Sequence, residues 1–412
     1  MSDIPGLPAR RAALKLLDAV LRRGETIEQA AHNACQGIIG GPDRALAVAL
    51  ASEALRWLTD LDALIDSTTN QTLDEDTKVR SVLRLMIAGW LRLETPPHAV
   101  IATGLPLLTG GPRRLAHGVF SSLSKRGAVL PEVPSLPAEV ADRWGARADA
   151  IAKGLGNPPP LDLTLRDPAT TAEWTEKLGG VSLMPGHVRL PRGDAIENLE
   201  GFNEGAWWVQ DIAASLPARL LGAGEGRRVL DLCAAPGGKT LQLAAAGWQV
   251  TALDISAKRL ERVEANCARV GLEADLVTAD ALEWQPDAPF DAVLLDAPCT
   301  ATGTCRRHPD VIHRIAARHI TEMAELQAKL IARASEWVKP GGALVYAVCS
   351  LEADEGEGQA RGVALGPWPI TADDLPAGVE TSADGWLRTD PGMLAEHGGM
   401  DGFFIARWRK TA

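Results

Sequence analysis

Two cysteines and three acids in the second half of the chain are residue types that can bond covalently to a substrate and hold a charged ligand. Cys299 lies in D-A-P-C-T-A-T-G and Cys349 lies in L-V-Y-A-V-C-S. Asp254, Asp280 and Asp296 end the segments Q-V-T-A-L-D, A-D-L-V-T-A-D and D-A-V-L-L-D, which have the apolar pattern of buried strands. Because the carboxyl ends of parallel strands meet at one edge of an open sheet, we expect these five side chains to share a crevice.

A glycine turn between a strand and a helix is predicted just before those segments. Residues 227–240 have the sequence R-R-V-L-D-L-C-A-A-P-G-G-K-T, in which an apolar strand over 229–233 ends at P-G-G and helical spacing begins at Thr240. Such a turn suits a ligand that lies against bare backbone at a helix N-terminus. The spacing matches neither the dinucleotide motif G-x-G-x-x-G nor a P-loop.

The acids and the glycine turn together indicate the ligand. Asp254 follows the turn by about 20 residues, which is where a ribose-binding carboxylate belongs. Three carboxylates at one edge can hold a ribose, an amine and a cationic centre, and S-adenosylmethionine offers all three groups. The alternative is that each acid only caps the helix after it. For three acids in series we favour the cofactor, S-adenosyl-L-methionine.

Three long strings carry a resemblance to a known family. They are C-A-A-P-G-G-K-T, D-A-P-C-T-A-T-G followed by R-R-H-P-D, and V-C-S-L-E-A-D-E-G-E, and they cover the C-terminal half of the chain. In these strings the sequence resembles the RNA cytosine-5 methyltransferases of the 16S ribosomal RNA type, the Sun/Fmu family. The resemblance implies methylation of carbon 5 of a cytosine in small-subunit (16S) rRNA through a covalent cysteine–cytosine intermediate.

This chemistry needs a thiolate, because carbon 5 of cytosine becomes nucleophilic only when a thiolate adds to carbon 6. The residue types alone leave open which cysteine attacks, since the Pro-Cys pair used by DNA cytosine methyltransferases points to Cys299. The resemblance implies the other assignment, with Cys349 as the nucleophile and Cys299 as an aid to product release. Asp296 is expected to hold the exocyclic amine or ring nitrogen of cytosine.

The resemblance also places the cofactor on a defined set of residues. The predicted cofactor-binding residues are Cys233, Ala234, Ala235, Pro236, Gly237, Gly238, Lys239, Asp254, Asp280 and Asp296. Arg306 and Arg307, beside the catalytic loop, suit phosphates of the target RNA, and a surface salt bridge is the alternative. A C-x-x-H cluster that could bind zinc is formed by Cys305, His308, His313 and His319, but R-R-H-P-D already accounts for His308, so no metal is predicted.

Three domains and a fold class follow from the patterns and the resemblance. Residues 1–130 have helical spacing and resemble the NusB-like RNA-binding domain that family members carry. Residues 131–204 are expected to form a proline-rich linker and a small α/β subdomain. Residues 205–412 are expected to form the α/β Rossmann-like methyltransferase domain, with a mostly parallel seven-stranded sheet. Trp207 and Trp208 are expected to pack in its interior rather than stack on a base.

The composition of the chain limits the cellular compartment and the binding partners that we expect. The net charge of −11 argues mildly against a nucleic-acid partner, but residues 1–130 carry 15 Lys+Arg against 13 Asp+Glu, so the acid excess lies elsewhere. Six scattered cysteines and the absence of a signal peptide or long apolar run predict a cytoplasmic protein without a membrane partner. We expect a monomer that binds 16S ribosomal RNA, free or in an early particle. The alternatives are a transfer RNA cytosine-5 methyltransferase and a non-catalytic RNA-binding assembly factor.

Overall fold

The computed structural model describes residues 4–193 and 195–411, which form two compact units. The first unit contains the described residues up to Asn157 together with Cys305–Ile315. The second contains Pro158–Thr304 and the described residues from Ala316 onward. None of the helices in the described ranges is both long and apolar enough to cross a bilayer.

The first unit is helical, as its 3.6-residue apolar spacing predicts. Its helices are α1 (Leu7–Arg23), α2 (Ile27–Ala34), α3 (Gly41–Arg56), α4 (Leu58–Asp66), α5 (Lys78–Leu91), α6 (Pro97–Gly104), α7 (Gly110–Lys125), α8 (Ala138–Trp144), α9 (Ala148–Leu155) and, from the later segment, α14 (Val311–Arg314). The core of the unit is formed by fully buried side chains such as Leu16, Leu55, Leu83 and Phe120.

Helices α8 and α9 group with the first unit, although the sequence places them after a boundary near residue 130. The guanidinium of Arg56 donates to the carbonyl oxygen of Leu155 at 2.8 Å, and that of Arg92 donates to the carbonyl oxygen of Gly156 at 2.8 Å. The carboxylate of Asp60 accepts hydrogen bonds from the backbone and the hydroxyl of Ser135. The predicted segment 131–204 is therefore divided at Asn157.

The segment Cys305–Ile315 groups with the helical unit because its backbone and His313 are hydrogen-bonded there. Arg56 donates from Nη2 to the carbonyl oxygen of Arg306 at 3.0 Å. The Nε2 of His313 lies 2.7 Å from the carbonyl oxygen of Leu55. Burial lowers the pKa of His313 to about 4, although the bond to Leu55 opposes this shift.

The second unit begins with a small antiparallel sheet in the order β2-β1-β3. Its strands are β1 (Leu161–Leu165), β2 (His187–Leu190) and β3 (Trp207–Val209), and helix α10 (Thr171–Leu178) lies between β1 and β2 in the chain. The helix α11 (Ile212–Arg219) follows β3 in the chain. Trp207 and Trp208 are buried, which confirms their expected packing role.

A larger sheet carries the predicted crevice. Its strands are β4 (Arg228–Leu232), β5 (Gln249–Asp254), β6 (Asp275–Thr278), β7 (Phe290–Asp296), β8 (Val338–Val348), β9 (Gly366–Pro367), β10 (Leu387–Arg388) and β11 (Phe404–Arg409). The helices between them are α12 (Gly238–Ala245), α13 (Ala257–Val270), α15 (Ala317–Trp337) and α16 (Glu357–Ala360). The order is β10-β11-β8-β7-β4-β5-β6, and β9 pairs with β11 outside this path.

The strand order creates a switch point beside β4. Strands β6, β5, β4, β7 and β8 are parallel, while β11 is antiparallel to β8. The chain moves from β4 towards β6 on one side and then crosses to β7 on the other, so a crevice opens at the carboxyl ends of β4 and β7. The mostly parallel sheet is confirmed, with eight strands in place of seven because the two-residue β9 joins its edge.

Candidate active site

The glycine turn has the backbone geometry that a closely bound ligand requires. It follows β4, with Cys233 at φ 66° and Gly237 at φ 104°, both in the left-handed region. A Cβ atom at Gly237 would lie 3.1 Å from Val263, so a side chain here would be strained as well as crowded. The amide of Ala234 donates to the carbonyl oxygen of Leu253 at 3.0 Å and ties the turn to β5.

Asp254 lies at the end of β5, beside the turn. Its Oδ2 accepts from the amide of Ala235 at 3.3 Å. Its Oδ1 accepts from the amide of Ser256 at 2.9 Å and from Arg259 at 2.6 Å. The structure thus brings Asp254 to the glycine turn, as predicted, and the N-cap of α13 is Ser256, not Asp254.

Asp280 and Asp296 follow β6 and β7 at the same edge of the sheet. Asp280 Oδ1 accepts from the amide of Leu282 at 2.9 Å. Asp296 Oδ2 accepts from Lys239 Nζ at 2.7 Å, and Lys239 is 9% exposed, so it is not a solvated helix-start lysine. Burial lowers the pKa of Lys239, but the charge and hydrogen bond of Asp296 outweigh this and raise it overall. Lys239 is therefore a cation inside the site.

The two cysteines follow the neighbouring strands β7 and β8, and their sulfur atoms lie 3.4 Å apart. Both side chains are half-buried. The pKa of Cys299 lies well above its usual range, first because its sulfur shares a hydrogen bond with Cys349, then because burial and the nearby Glu355 disfavour a thiolate. The structure therefore brings both predicted cysteines together as one hydrogen-bonded pair, in which either sulfur can be the donor.

Asp231 is a buried acid that the sequence reasoning missed. It lies within β4, and its Oδ2 accepts from Thr240 Oγ1 at 2.6 Å. Its Oδ1 is buried and has no partner among the described residues. Burial raises its pKa to about 7. The sequence did contain a signal for this residue, because an acid interrupts the apolar run V-L-D-L of a buried strand. A buried carboxylate without a partner costs free energy, so its presence there suggests a role.

Cys233 and the two predicted RNA-binding arginines have different surroundings. Burial raises the pKa of the Cys233 thiol, which fits a backbone contact rather than a reactive sulfur. Arg307 is exposed, whereas Arg306 is 1% exposed and its carbonyl oxygen accepts from Arg56. This burial argues against a direct phosphate contact by Arg306 and leaves Arg307 as the better placed of the two.

The site residues fit the S-adenosylmethionine that the sequence predicts. The turn offers bare backbone, because Gly237 at φ 104° leaves no room for a side chain beside Val263. Asp254 at the end of β5 suits a ribose, and Ile255 beside it is 64% exposed and offers an apolar surface for a purine. The unpartnered Oδ1 of Asp231 adds a buried acceptor under the turn.

Comparisons with known proteins give the family. The family model described as 16S rRNA methyltransferase RsmB/F matches residues 218–409, and the NusB family model matches residues 7–107. The ribosomal RNA small subunit methyltransferase B of Xylella fastidiosa is 31% identical over 433 residues, covering 99% of this chain and 98% of that protein. The protein of the same name from Klebsiella pneumoniae is 32% identical, covering 97% of each.

Solved structures show the same fold. The crystal structure of PH0851 aligns with a TM-score of 0.72 and 22% identity over 99% of both chains. A methyltransferase homolog from Pyrococcus horikoshii aligns with a TM-score of 0.55 and 28% identity, over 70% of this chain and 98% of its own. Because curated relatives above 30% identity match nearly the whole sequence, this chain is an RNA methyltransferase and belongs to the 16S rRNA methyltransferase RsmB/F family.

Proposed function

We propose that the chain methylates carbon 5 of a cytosine in small-subunit ribosomal RNA, with S-adenosylmethionine as the methyl donor. The observation that carries this proposal is the pair of sulfur atoms 3.4 Å apart at the same sheet edge as Asp254 and Asp296. One thiolate is needed for the addition to carbon 6, and the resemblance assigns the second thiol to the later release. The names of the relatives from Xylella and Klebsiella support ribosomal RNA over transfer RNA as the substrate.

The cofactor supplies an electrophilic methyl group when it is bound. We assign its ribose to Asp254 and its purine to the apolar surface of Ile255, with Asp280 at the same edge. The glycine turn from Cys233 to Lys239 would lie against it through backbone amides, at the start of α12. These residues orient the donor; they do not react with it.

The two cysteines act on the cytosine at different steps. Cys349, as a thiolate, forms a bond from Sγ to carbon 6, and the displaced electron pair makes carbon 5 nucleophilic. Lys239 and Asp296 lie at this edge, and Asp296 is assigned to the exocyclic amine or ring nitrogen of the base. After methylation, a base takes the proton from carbon 5, the electron pair of that bond re-forms the double bond between carbons 5 and 6, and the Cys349 thiolate leaves with the electron pair of its bond to carbon 6. Cys299 assists this release.

RNA contacts are assigned to the exposed arginines and to the helical unit. Arg307 is exposed and follows the catalytic loop in sequence, so it suits a phosphate of the target strand. The match of residues 7–107 to the NusB family supports an RNA-binding role for the helical unit. We keep the boundaries at residues 130 and 204 as a proposal about function, although the compact units divide at Asn157. We also propose that the protein is cytoplasmic and acts as a monomer.

Bisulfite sequencing of small-subunit ribosomal RNA tests the function. RNA is compared from cells with the gene, without it, and without it but supplied with the wild-type or Cys349→Ala protein. We expect one cytosine to lose its protection when the gene is absent and to regain it only with the wild type. If a cytosine in a transfer RNA loses its protection instead, the substrate is transfer RNA. Protection restored by Cys349→Ala would support an assembly factor.

A further inference from the structure

The carboxylate of Glu355 joins the two loops that carry the cysteines. Its Oε2 accepts from the amide of Thr300, the residue after Cys299, at 2.9 Å. Its Oε1 accepts from the hydroxyl of Thr300 and from that of Ser350, the residue after Cys349, the latter at 2.7 Å. One buried carboxylate therefore bonds to the immediate neighbour of each catalytic sulfur.

A helix and a backbone contact hold Glu355 in place. Gln327 on α15 donates from Nε2 to Glu355 Oε2 at 2.9 Å and to the carbonyl oxygen of Pro298 at 2.8 Å. The hydroxyl of Tyr346 on β8 donates to the backbone carbonyl oxygen of Glu355 at 2.6 Å. Helix α15 and strand β8 therefore hold the carboxylate in position.

The two loops also bond directly, so a shift in one moves the other. The amide of Gly303 donates to the carbonyl oxygen of Cys349 at 3.0 Å. The amide of Leu351 donates to Thr302 Oγ1 at 3.0 Å. Without the carboxylate, the buried donors on Thr300, Ser350 and Gln327 would have to find other acceptors, which is costly where water has no access.

We propose that Glu355 is a positioning residue that fixes the Cys299 and Cys349 loops relative to each other, so that both thiols face one cytosine. This inference rests on the proposed methyl transfer, because it assigns no separate activity to Glu355. The carboxylate is fully buried and reaches the sulfurs only through Thr300 and Ser350. Its charge is also one of the influences that raise the pKa of Cys299, after the bond to Cys349 and burial.

Single-turnover methylation of a small-subunit ribosomal RNA transcript by the full-length protein tests this role. Glu355→Ala should slow methyl transfer about 100-fold, the scale expected when reacting groups shift by about 1 Å. Its affinity for S-adenosylhomocysteine, measured by calorimetry, should stay within about 2-fold of wild type, because the cofactor residues are untouched. Glu355→Gln keeps the shape and one acceptor oxygen, so it should recover most of the rate.

Matched variants separate positioning from loss of stability. Thr300→Val removes one hydroxyl bond to Glu355 and should slow transfer about 10-fold, whereas Thr300→Ser keeps that hydroxyl and should match wild type. Asp162→Asn disturbs another buried carboxylate, which bonds to Arg189 in the small sheet. It should lower the melting temperature and leave the rate of the folded protein unchanged.

The outcomes distinguish this inference from the proposed function. If Glu355→Ala is folded and transfers methyl groups at the wild-type rate, Glu355 does not position the thiols. If Glu355→Ala does not fold, a wild-type rate in Thr300→Val overturns the inference equally. If the wild type itself makes no 5-methylcytosine in the transcript or in cellular ribosomal RNA, the proposed function fails first.

Discussion

The sulfur atoms of Cys299 and Cys349 lie 3.4 Å apart, although 50 positions separate the two residues in the chain. The distance is far longer than the roughly 2.05 Å of a disulfide and suits a shared S–H···S hydrogen bond. The strands that carry them, β7 and β8, pair in parallel, with Asp296 opposite Ala347. The hydrogen bond to Cys349, together with burial, raises the pKa of Cys299 well above its usual range, so the two thiols influence each other.

The proposed roles of the two thiols predict opposite phenotypes for their variants. Cys349→Ala should abolish methyl transfer and form no covalent adduct, because no thiolate reaches carbon 6. Cys299→Ala should retain the attack but fail to release the product, so a protein–RNA adduct should survive denaturing gel electrophoresis. The double variant should form none.

A matched control for this pair is Cys35→Ala, which removes a buried thiol from the helical unit and should behave as wild type. A stable adduct in Cys349→Ala and none in Cys299→Ala would reverse the roles of the two cysteines. The reaction class would be unaffected by that result.

The glycine turn and its acid predict the cofactor. Full-length protein should bind S-adenosylhomocysteine one-to-one in calorimetry. Asp254→Ala should weaken binding about 10- to 100-fold, because it removes a charged hydrogen-bond acceptor from the ribose and unties the amide of Ala235. Asp162→Asn, in the small sheet, serves as the control for general loss of stability. Binding of NAD or ATP in place of S-adenosylhomocysteine would show that the site is misassigned.

The buried carboxyl of Asp231 predicts a pH-dependent stability. Burial raises its pKa to about 7, against a value near 4 in the unfolded chain. Between these values the folded chain holds a proton that the unfolded chain has lost, so this group makes the fold less stable as pH rises from about 4 to about 7. Asp231→Asn accepts the same bond from Thr240 without titrating, so it should remove that dependence.

The free energy of unfolding is measured for Asp231→Asn and for wild type at pH 5, 6, 7 and 8, and the difference between the two proteins is compared. The unfolding transition to use is the one that S-adenosylhomocysteine shifts, because that transition belongs to the unit that binds it. The difference should grow by about 3 kcal/mol between pH 5 and pH 7 and then level off. Because other titrating groups are common to both proteins, their effects cancel. A difference that is constant from pH 5 to 8 would mean that Asp231 does not titrate in this range.

The exposed arginines predict a salt-dependent RNA affinity. Arg113 and Arg114 are exposed near the start of α7, and Arg307 is exposed in the later segment. Each arginine that contacts a phosphate should add about 0.7 to 0.9 to the slope of log affinity against log salt. The triple alanine variant should therefore bind the ribosomal RNA transcript more weakly and with a shallower slope, while its cofactor affinity stays unchanged.

Arg361→Ala, at another exposed arginine, is the control for a simple change of net charge. If it lowers the slope as much as the triple variant does, the RNA contacts lie elsewhere. Single variants then separate the helical-unit arginines from Arg307.

Local sequence patterns were enough to predict strands of the large sheet and the glycine turn. The pattern Q-V-T-A-L-D predicts a strand over 249–254, and β5 spans Gln249–Asp254. These features are local, because an apolar run, a glycine turn and a terminal acid are all encoded within a few residues. The parallel sheet followed because strands alternating with helices have few ways to pack. The family resemblance added the expected roles of Cys299 and Cys349, which remain proposals.

The contacts between distant side chains depend on the packed fold. The bond between Lys239 and Asp296 and the bonds of Glu355 to Thr300 join residues more than 50 positions apart, so no local pattern encodes them. Burial likewise depends on the whole fold: it removed Arg306 from the surface and raised the pKa of Asp231. The physical reason is that hydrogen bonding and desolvation depend on distances in space, which only the packed strands and helices set.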